Sequence, residues 1–133
     1  MKLTTENIPP KIFKRYGGEI LEIKEGESCV VQFDVKEEDY NPLGVTLGGM
    51  YGVYIDLVMG LFSYLTTKKG CASLDLNLDF LKSLGPGDDK IKIKTILVHQ
   101  TRNYLLFTAE AYNERDDLLA TGKSRMKILG NNK

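Results

Sequence analysis

Asn41-Pro-Leu-Gly-Val-Thr-Leu-Gly-Gly-Met-Tyr-Gly-Val-Tyr-Ile-Asp56 (NPLGVTLGGMYGVYID) is the stretch on which the fold turns. Its first half carries a proline and a glycine and reads as the end of a loop that begins near Lys36. Its second half opens on Gly48-Gly49 and runs to Lys69 as a segment apolar on nearly every side. That pattern predicts one long helix, roughly 30 Å at 1.5 Å per residue. The length would suit a membrane span, but Asp56 lies near its middle, where an ionisable side chain is costly. The strands that follow also need a helix to cover their apolar face. The expectation is therefore a central helix wrapped by a curved sheet and touching a partner.

Reading outward from this helix, Ser73 to Phe80 (SLDLNLDF) alternates with Leu74, Leu76, Leu78 and Phe80 on one face, and predicts a strand. Gly85-Pro86-Gly87-Asp88 is a turn. Lys90 to His99, Tyr104 to Tyr112 and Leu118 to Leu129 predict three further strands, the last two joined by a turn over 113–117. Upstream, Glu19 to Lys24 and Ser28 to Lys36 predict a hairpin, with Cys29, Val31, Phe33 and Val35 on one face. Ile8 to Tyr16 predicts a short helix, with Pro9 and Pro10 near its first turn and Gly17-Gly18 ending it. The order is hairpin, long helix, antiparallel meander, which is an α+β arrangement with one helix on one sheet. Residues 1–133 read as a single domain, with 1–18 as an N-terminal helical segment packed on it.

Composition narrows the function. The chain has 133 residues, 42% hydrophobic and 27% charged, enough for a core without staples. Eighteen basic residues balance 18 acidic ones, so the basic excess of a general nucleic-acid binder is missing. The first twenty residues contain no continuous apolar run of the signal-peptide kind. Cys29 and Cys71 stand far apart with no CxxC spacing and read as two buried thiols in a reducing cytoplasm. The single histidine, His99, excludes most multi-histidine metal sites. No GxSxG elbow accompanies it for a serine triad, and it reads as a strand-end residue.

On a helical wheel Gly49, Gly52, Asp56, Gly60 and Ser63 fall within roughly 80° of one another. The aspartate thus lies on a stripe of small side chains that lets a second helix or a slender ligand approach, and burial there would raise its pKa. Gly48 and Gly49 open the helix, where free N–H groups favour negative charge and can form an oxyanion hole. No GxGxxG or P-loop spacing is present. Gly48 and Asp56 are roughly 12 Å apart along the axis, whereas a base and an oxyanion hole must both sit about 3 Å from the reacting group. One helix cannot serve one carbonyl from both positions. Two antiparallel copies can, so the expectation is a homodimer with two composite sites.

At this point the chain resembles the hotdog-fold acyl-CoA thioesterases, most closely the branch of phenylacetyl-CoA thioesterases linked to phenylacetic acid degradation. The likeness rests on Asn41, Leu47-Gly48-Gly49, Asp56, SLDLNLDFLKSLGPGD from Ser73, and VHQTRNYLLFTAEAYNERDDLLATGKSRMKIL, and covers roughly residues 26 to 129. It implies a hotdog fold and hydrolysis of a CoA thioester without metal or cofactor, in a cytoplasmic dimer or dimer of dimers with no nucleic-acid or membrane partner. It implies that Asp56 is the general base or nucleophile and that the Gly48 N–H is the oxyanion donor. Asn41 would position the water or substrate, and Ser73 would assist the acid. Leu47, Gly49 and Arg102 would meet substrate, Arg102 at the CoA phosphates although Thr101 replaces the usual glycine before it. Lys123, Arg125 and Lys127 could also attract CoA, or form a solvated face.

One departure stands out: the family's histidine before the glycine pair is Leu47 here. Leucine cannot hydrogen-bond to a carbonyl, while a backbone oxyanion hole does not need that side chain. A non-catalytic acyl-CoA binder is therefore the main alternative, ahead of a dehydratase and of a purely structural module. Tyr51, Tyr54 and Leu47 are expected to set pocket size.

Overall fold

A computed structural model of the chain describes residues 8–130. Expectations that fall on residues 1–7, the start of the N-terminal segment, lie outside the described residues. The elements in order are α1 (Lys11–Arg15), β1 (Glu19–Lys24), β2 (Ser28–Asp34), α2 (Gly49–Thr67), β3 (Cys71–Ser73), β4 (Asn77–Phe80), β5 (Lys90–Gln100), β6 (Tyr104–Tyr112) and β7 (Leu118–Ile128). The strands form one antiparallel sheet in the order β1-β2-β5-β6-β7-β3, with β4 also pairing β7. The expected hairpin and long helix are present and β5-β6-β7 form a meander, but the strand over 73–80 joins β7 rather than its sequence neighbour β5, which pairs β2.

The helix α2 forms because Tyr51, Tyr54, Ile55, Val58, Met59 and Phe62 recur at helical spacing and are all buried. This face lies against the inner face of the sheet, where Val31, Phe33, Ile91, Ile93, Leu105 and Phe107 point at strand period. Phe33 stacks on Tyr54 at 5.3 Å between centroids, and Phe62 meets Phe107 at 5.7 Å. Two glycines set how close helix and sheet come. A Cβ on Gly122 of β7 would lie 3.3 Å from the Ile55 side chain, and one on Gly52 of α2 would lie 3.1 Å from that of Leu78. Cys29 is fully buried in this core, and burial pushes its thiol up to about 11, so it stays protonated and inert; Cys71, at the sheet edge, is only half-buried, contrary to expectation. Among the described residues no helix is long and apolar enough to cross a membrane.

Three further expectations need correction. The N-terminal helix is shorter than 8–16, because Pro10 sits before its first turn in extended geometry. Gly17, at φ 63°, ends the helix: its N–H reaches the Lys14 carbonyl and that of Gly18 reaches Phe13. Phe13 and Tyr16 then pack edge-on against Phe33 and Tyr54. The long helix runs Gly49–Thr67 rather than 48–69, with Lys68 in the left-handed conformation closing it. The strand over 73–80 is broken. Ser73 pairs Met126 and Asn77 pairs Lys123, so three residues of one strand face two of the other. This bulge turns Leu74 out to solvent while Leu76 and Leu78 stay on the helix at Gly52.

Candidate active site

The loop before α2 is tied down from within. The Asn41 Oδ1 accepts the Leu43 N–H at 2.9 Å and the Val45 N–H at 3.4 Å, while the Asn41 N–H donates to the Val45 carbonyl. The Leu47 N–H goes to the Asp39 carbonyl and the Thr46 N–H to Leu84. These bonds aim the chain into the helix with Gly48 as its N-cap, already in helical geometry. Helical hydrogen bonding starts with the N–H groups of Met50 and Tyr51. The Gly48 and Gly49 N–H groups have no acceptor among the described residues, and this is the free, positively polarised end expected of an oxyanion site.

A pocket of about 460 Å³ opens at this end, lined by Asn41, Thr46, Gly48, Tyr51, Phe80 and Lys82 among others. The Tyr51 hydroxyl donates to the Lys82 carbonyl at 2.8 Å, and burial raises its pKa to about 12. Lys82 itself is paired with Asp117 at 2.6 Å. The Thr46 hydroxyl is buried without a partner among the described residues. Leu47, in the place of the family histidine, is half exposed. Tyr51 lines this pocket as expected, but Tyr54 lies fully in the core, its hydroxyl donating to the Asp34 carbonyl.

Asp56 lies two turns along α2. The Ser73 hydroxyl, at the end of β3, donates to its Oδ1 at 2.8 Å, so the hydroxyl and the acid are brought together as expected. The burial expected for Asp56 is not found: within one chain it is exposed. The small-residue stripe explains why. It straddles the boundary of the buried face, with Gly52 and Ser63 buried while Gly49 and Asp56 are exposed, and a Cβ on Gly49 or Gly60 would meet nothing within 4 Å. A second pocket, of about 220 Å³, lies beside Asp56. It shares no lining residue with the pocket at Gly48.

Arg102 is exposed in the β5–β6 turn and has no ion-pair partner among the described residues. The turn is fixed by the Thr101 hydroxyl, which accepts the N–H groups of Asn103 and Tyr104. Lys123, Arg125 and Lys127 share the exposed face of β7. Arg125 is drawn to Asp75, with Nε 3.4 Å from its carboxylate. Among the described residues no three His, Cys, Asp or Glu side chains are grouped to hold a metal ion.

Sequence reasoning missed the walls of the pocket beside Asp56. Leu57, Gly60, Leu61 and Tyr64 follow at i, i+3, i+4 and i+7 and were readable as one helix face. Lys69, Gly70 and Cys71 also line it, and so do Ile8 and Pro10, which had no such signal because they come from a distant segment.

The family model of the thioesterase superfamily matches residues 43–120, a span that includes the helix start, Asp56 and Ser73. No curated protein matches the sequence significantly. Among solved structures the chain is similar to the Escherichia coli PaaI protein from the phenylacetic acid degradation operon. The TM-score is 0.86 at 18% identity, covering 96% of this chain and 91% of that one. It is also similar to the Streptococcus mutans protein smu.793 bound to acetyl CoA, with TM-score 0.79, 23% identity and coverage of 87% and 91%. A mutant of the phenylacetic acid degradation protein PaaI from Thermus thermophilus gives 0.79 at 20% identity, covering 90% and 99%. These structures share the curled antiparallel sheet around one long helix, which is the hotdog fold. Matched over more than half its length by the family model, the chain belongs to the thioesterase superfamily.

Proposed function

We propose that the protein is a hotdog acyl-CoA thioesterase, hydrolysing a CoA thioester to the free acid and CoA. The observation that carries this reading is the Asp56 carboxylate, held by the Ser73 hydroxyl at 2.8 Å on the open side of α2, in a chain of the thioesterase superfamily. Asp56 acts as general base, taking a proton from the water that attacks the thioester carbonyl, or attacks that carbonyl itself, expelling CoA thiolate to give an acyl-enzyme anhydride that water then hydrolyses to the free acid. In the base route the developing oxyanion is held by a backbone N–H at Gly48, with Gly49 beside it. Collapse then breaks the carbon–sulfur bond, and the proton on Asp56 goes to the departing thiolate.

Asp56 and Gly48 open on separate pockets within one chain, so each site takes its acid from one protomer and its oxyanion donor from the other. The assembly is accordingly a homodimer, or a dimer of dimers. The acyl-CoA class is supported by the Streptococcus mutans neighbour bound to acetyl CoA. Asn41 is committed to its loop through Oδ1 and acts on the substrate through its NH₂ group. Arg102, free of ion pairs among the described residues, meets the CoA phosphates. The two free cysteines suit a cytoplasmic protein.

A second reading is a non-catalytic acyl-CoA binder, favoured by Leu47, an exposed apolar side chain where the resemblance calls for histidine. Thiol release from short, medium, long and aromatic acyl-CoAs separates the two. The expected result is turnover that falls at least about a hundredfold in Asp56→Asn, as for loss of a general base, with the assembly intact. Saturable binding of the same esters with no thiol released by the wild type would replace the enzyme with the binder.

A further inference from the structure

The pocket at the start of α2 holds a polar group with no role so far. Thr46 lines it and is only 4% exposed. Its hydroxyl is buried without a hydrogen-bond partner among the described residues. A buried hydroxyl left unpaired is costly, and in a folded protein it calls for an explanation. The backbone holds the residue in place: the Thr46 N–H donates to the Leu84 carbonyl at 2.7 Å, and Thr46 pairs with Tyr40 in an antiparallel bridge. Consecutive side chains on such an extended chain point to opposite sides. Leu47 is accordingly turned out, half exposed, and Thr46 is turned in. The place of the family histidine faces away from this wall of the pocket, and the hydroxyl next to it faces inward.

Thr46 stands two residues before Gly48, whose N–H also has no acceptor among the described residues. Over two residues the chain spans at most about 7 Å. One oxygen about 3 Å from each donor bridges donors up to about 6 Å apart. A carbonyl oxygen has two acceptor positions, and a threonine hydroxyl donates one proton. The two free donors therefore suit one shared oxygen. Two neighbours on the same pocket are already engaged: the Tyr51 hydroxyl donates to the Lys82 carbonyl, and the Lys82 ammonium is paired with Asp117.

We propose that Thr46 is a further catalytic residue, whose hydroxyl donates to the thioester carbonyl oxygen beside the Gly48 N–H and supplies the side-chain hydrogen bond that Leu47 cannot. As water adds to the carbonyl carbon, negative charge grows on that oxygen and the bond from Thr46 strengthens. The hydroxyl keeps its proton throughout. The charge returns to the carbon–oxygen double bond as the carbon–sulfur bond breaks. The assignment rests on the thioesterase reading, because it takes a thioester carbonyl as the group that enters the pocket.

Two kinds of CoA analogue test the hydrogen bond separately from hydrolysis. One is a thioether, which lacks the carbonyl. The other is a ketone, in which a methylene divides the sulfur from the carbonyl. They are compared in pairs with the same tail, short, medium or aromatic, by calorimetry. Thr46→Val keeps the shape and removes the hydroxyl. It should bind the ketones about fivefold more weakly than wild type and the thioethers equally well. Its kcat for thiol release should fall about a hundredfold, and Thr46→Ser should recover most of both losses. Its melting temperature should hold or rise, because a methyl group replaces an unpaired buried hydroxyl. Ketone binding unchanged in Thr46→Val, a loss shared equally by the thioethers, or a wild type that binds neither analogue overturns the assignment. If thiol release still depends on Asp56, the thioesterase reading stands without it. A ketone-specific loss in a protein that releases no thiol from any acyl-CoA upholds the carbonyl contact and overturns the thioesterase reading instead.

Discussion

A single hydrogen bond joins the helix to the edge of the sheet at the candidate site. Ser73 donates to one oxygen of Asp56, which fixes the carboxylate's rotation and leaves its other oxygen without a protein donor among the described residues. An exposed acid on a helix would otherwise sample several rotamers. In the proposed reaction the serine would act through the acid, as a positioning residue. Ser73→Ala should lower kcat about tenfold, the worth of one hydrogen bond to a charged group at an exposed site. KM should stay within about twofold, since no substrate contact is lost, and Ser73→Thr should recover part of kcat. A variant that raised KM alone would make Ser73 a binding residue instead. Leu47 makes the opposite point at the same scale. It offers no hydrogen bond, so any polarisation of a carbonyl at the start of α2 falls to the unpartnered N–H groups of Gly48 and Gly49 and to the Thr46 hydroxyl.

Between β3 and β4 the edge strand absorbs one extra residue, and Asp75 repairs the break. Its Oδ1 accepts the Arg125 N–H at 2.8 Å and its backbone carbonyl accepts the Ser124 hydroxyl at 2.6 Å. The Arg125 N–H, and beyond it the guanidinium, hold the Asp75 carboxyl below the usual carboxylate range. A depressed folded-state pKa gives a contribution that is present above the unfolded value of 3.8 and lost as pH falls through the folded value. Asp75→Asn keeps an acceptor for the N–H but removes the charge. Its melting temperature should lie below wild type at pH 7, with the gap closing as pH falls beneath 4; a gap constant with pH would show that charge plays no part. The bulge also shows what periodicity could and could not reveal. The rhythm of SLDLNLDF identified the strand and an apolar face that keeps Leu76 and Leu78 on the helix, but not its partner, β7. It could not register an extra residue, because alternation continues in sequence while pairing slips in space. The unbroken apolar run of α2 likewise identified the helix, but being apolar on nearly every side it did not single out the face holding Tyr51, Ile55 and Phe62. Spacing alone left open which side of the small-residue stripe met the sheet, so the burial expected for Asp56 failed within one chain. The pairing of Asp56 with Ser73 was legible only through resemblance, since the two are joined by tertiary packing across an edge. Ile8 and Pro10 were not legible as pocket walls at all.

Seen whole, the sheet ends on one side in β3 and β4, and this edge is the side that carries the candidate site. Around it Leu43, Leu47, Phe80 and Leu81 are 86%, 54%, 58% and 57% exposed, an apolar margin of the kind that marks contact with another surface. Asp56 is also exposed, while the free N–H groups at Gly48 lie about 12 Å away along the helix. If two copies meet here with α2 antiparallel, each acid approaches the other copy's helix start, and a mixing experiment can count the sites so formed. Gly48→Pro is suited to the purpose. Gly48 has φ of −54°, within reach of proline, so the substitution removes the N–H while keeping the helix entry. Asp56→Asn and Gly48→Pro should each be nearly inactive alone. Unfolded together and refolded in equal amounts, they form heterodimers in which one site takes both intact groups and the other takes both defects. Random pairing makes half the dimers mixed, so about a quarter of wild-type activity should return. Sites built within a single chain would give no recovery, because every chain in the mixture carries one defect.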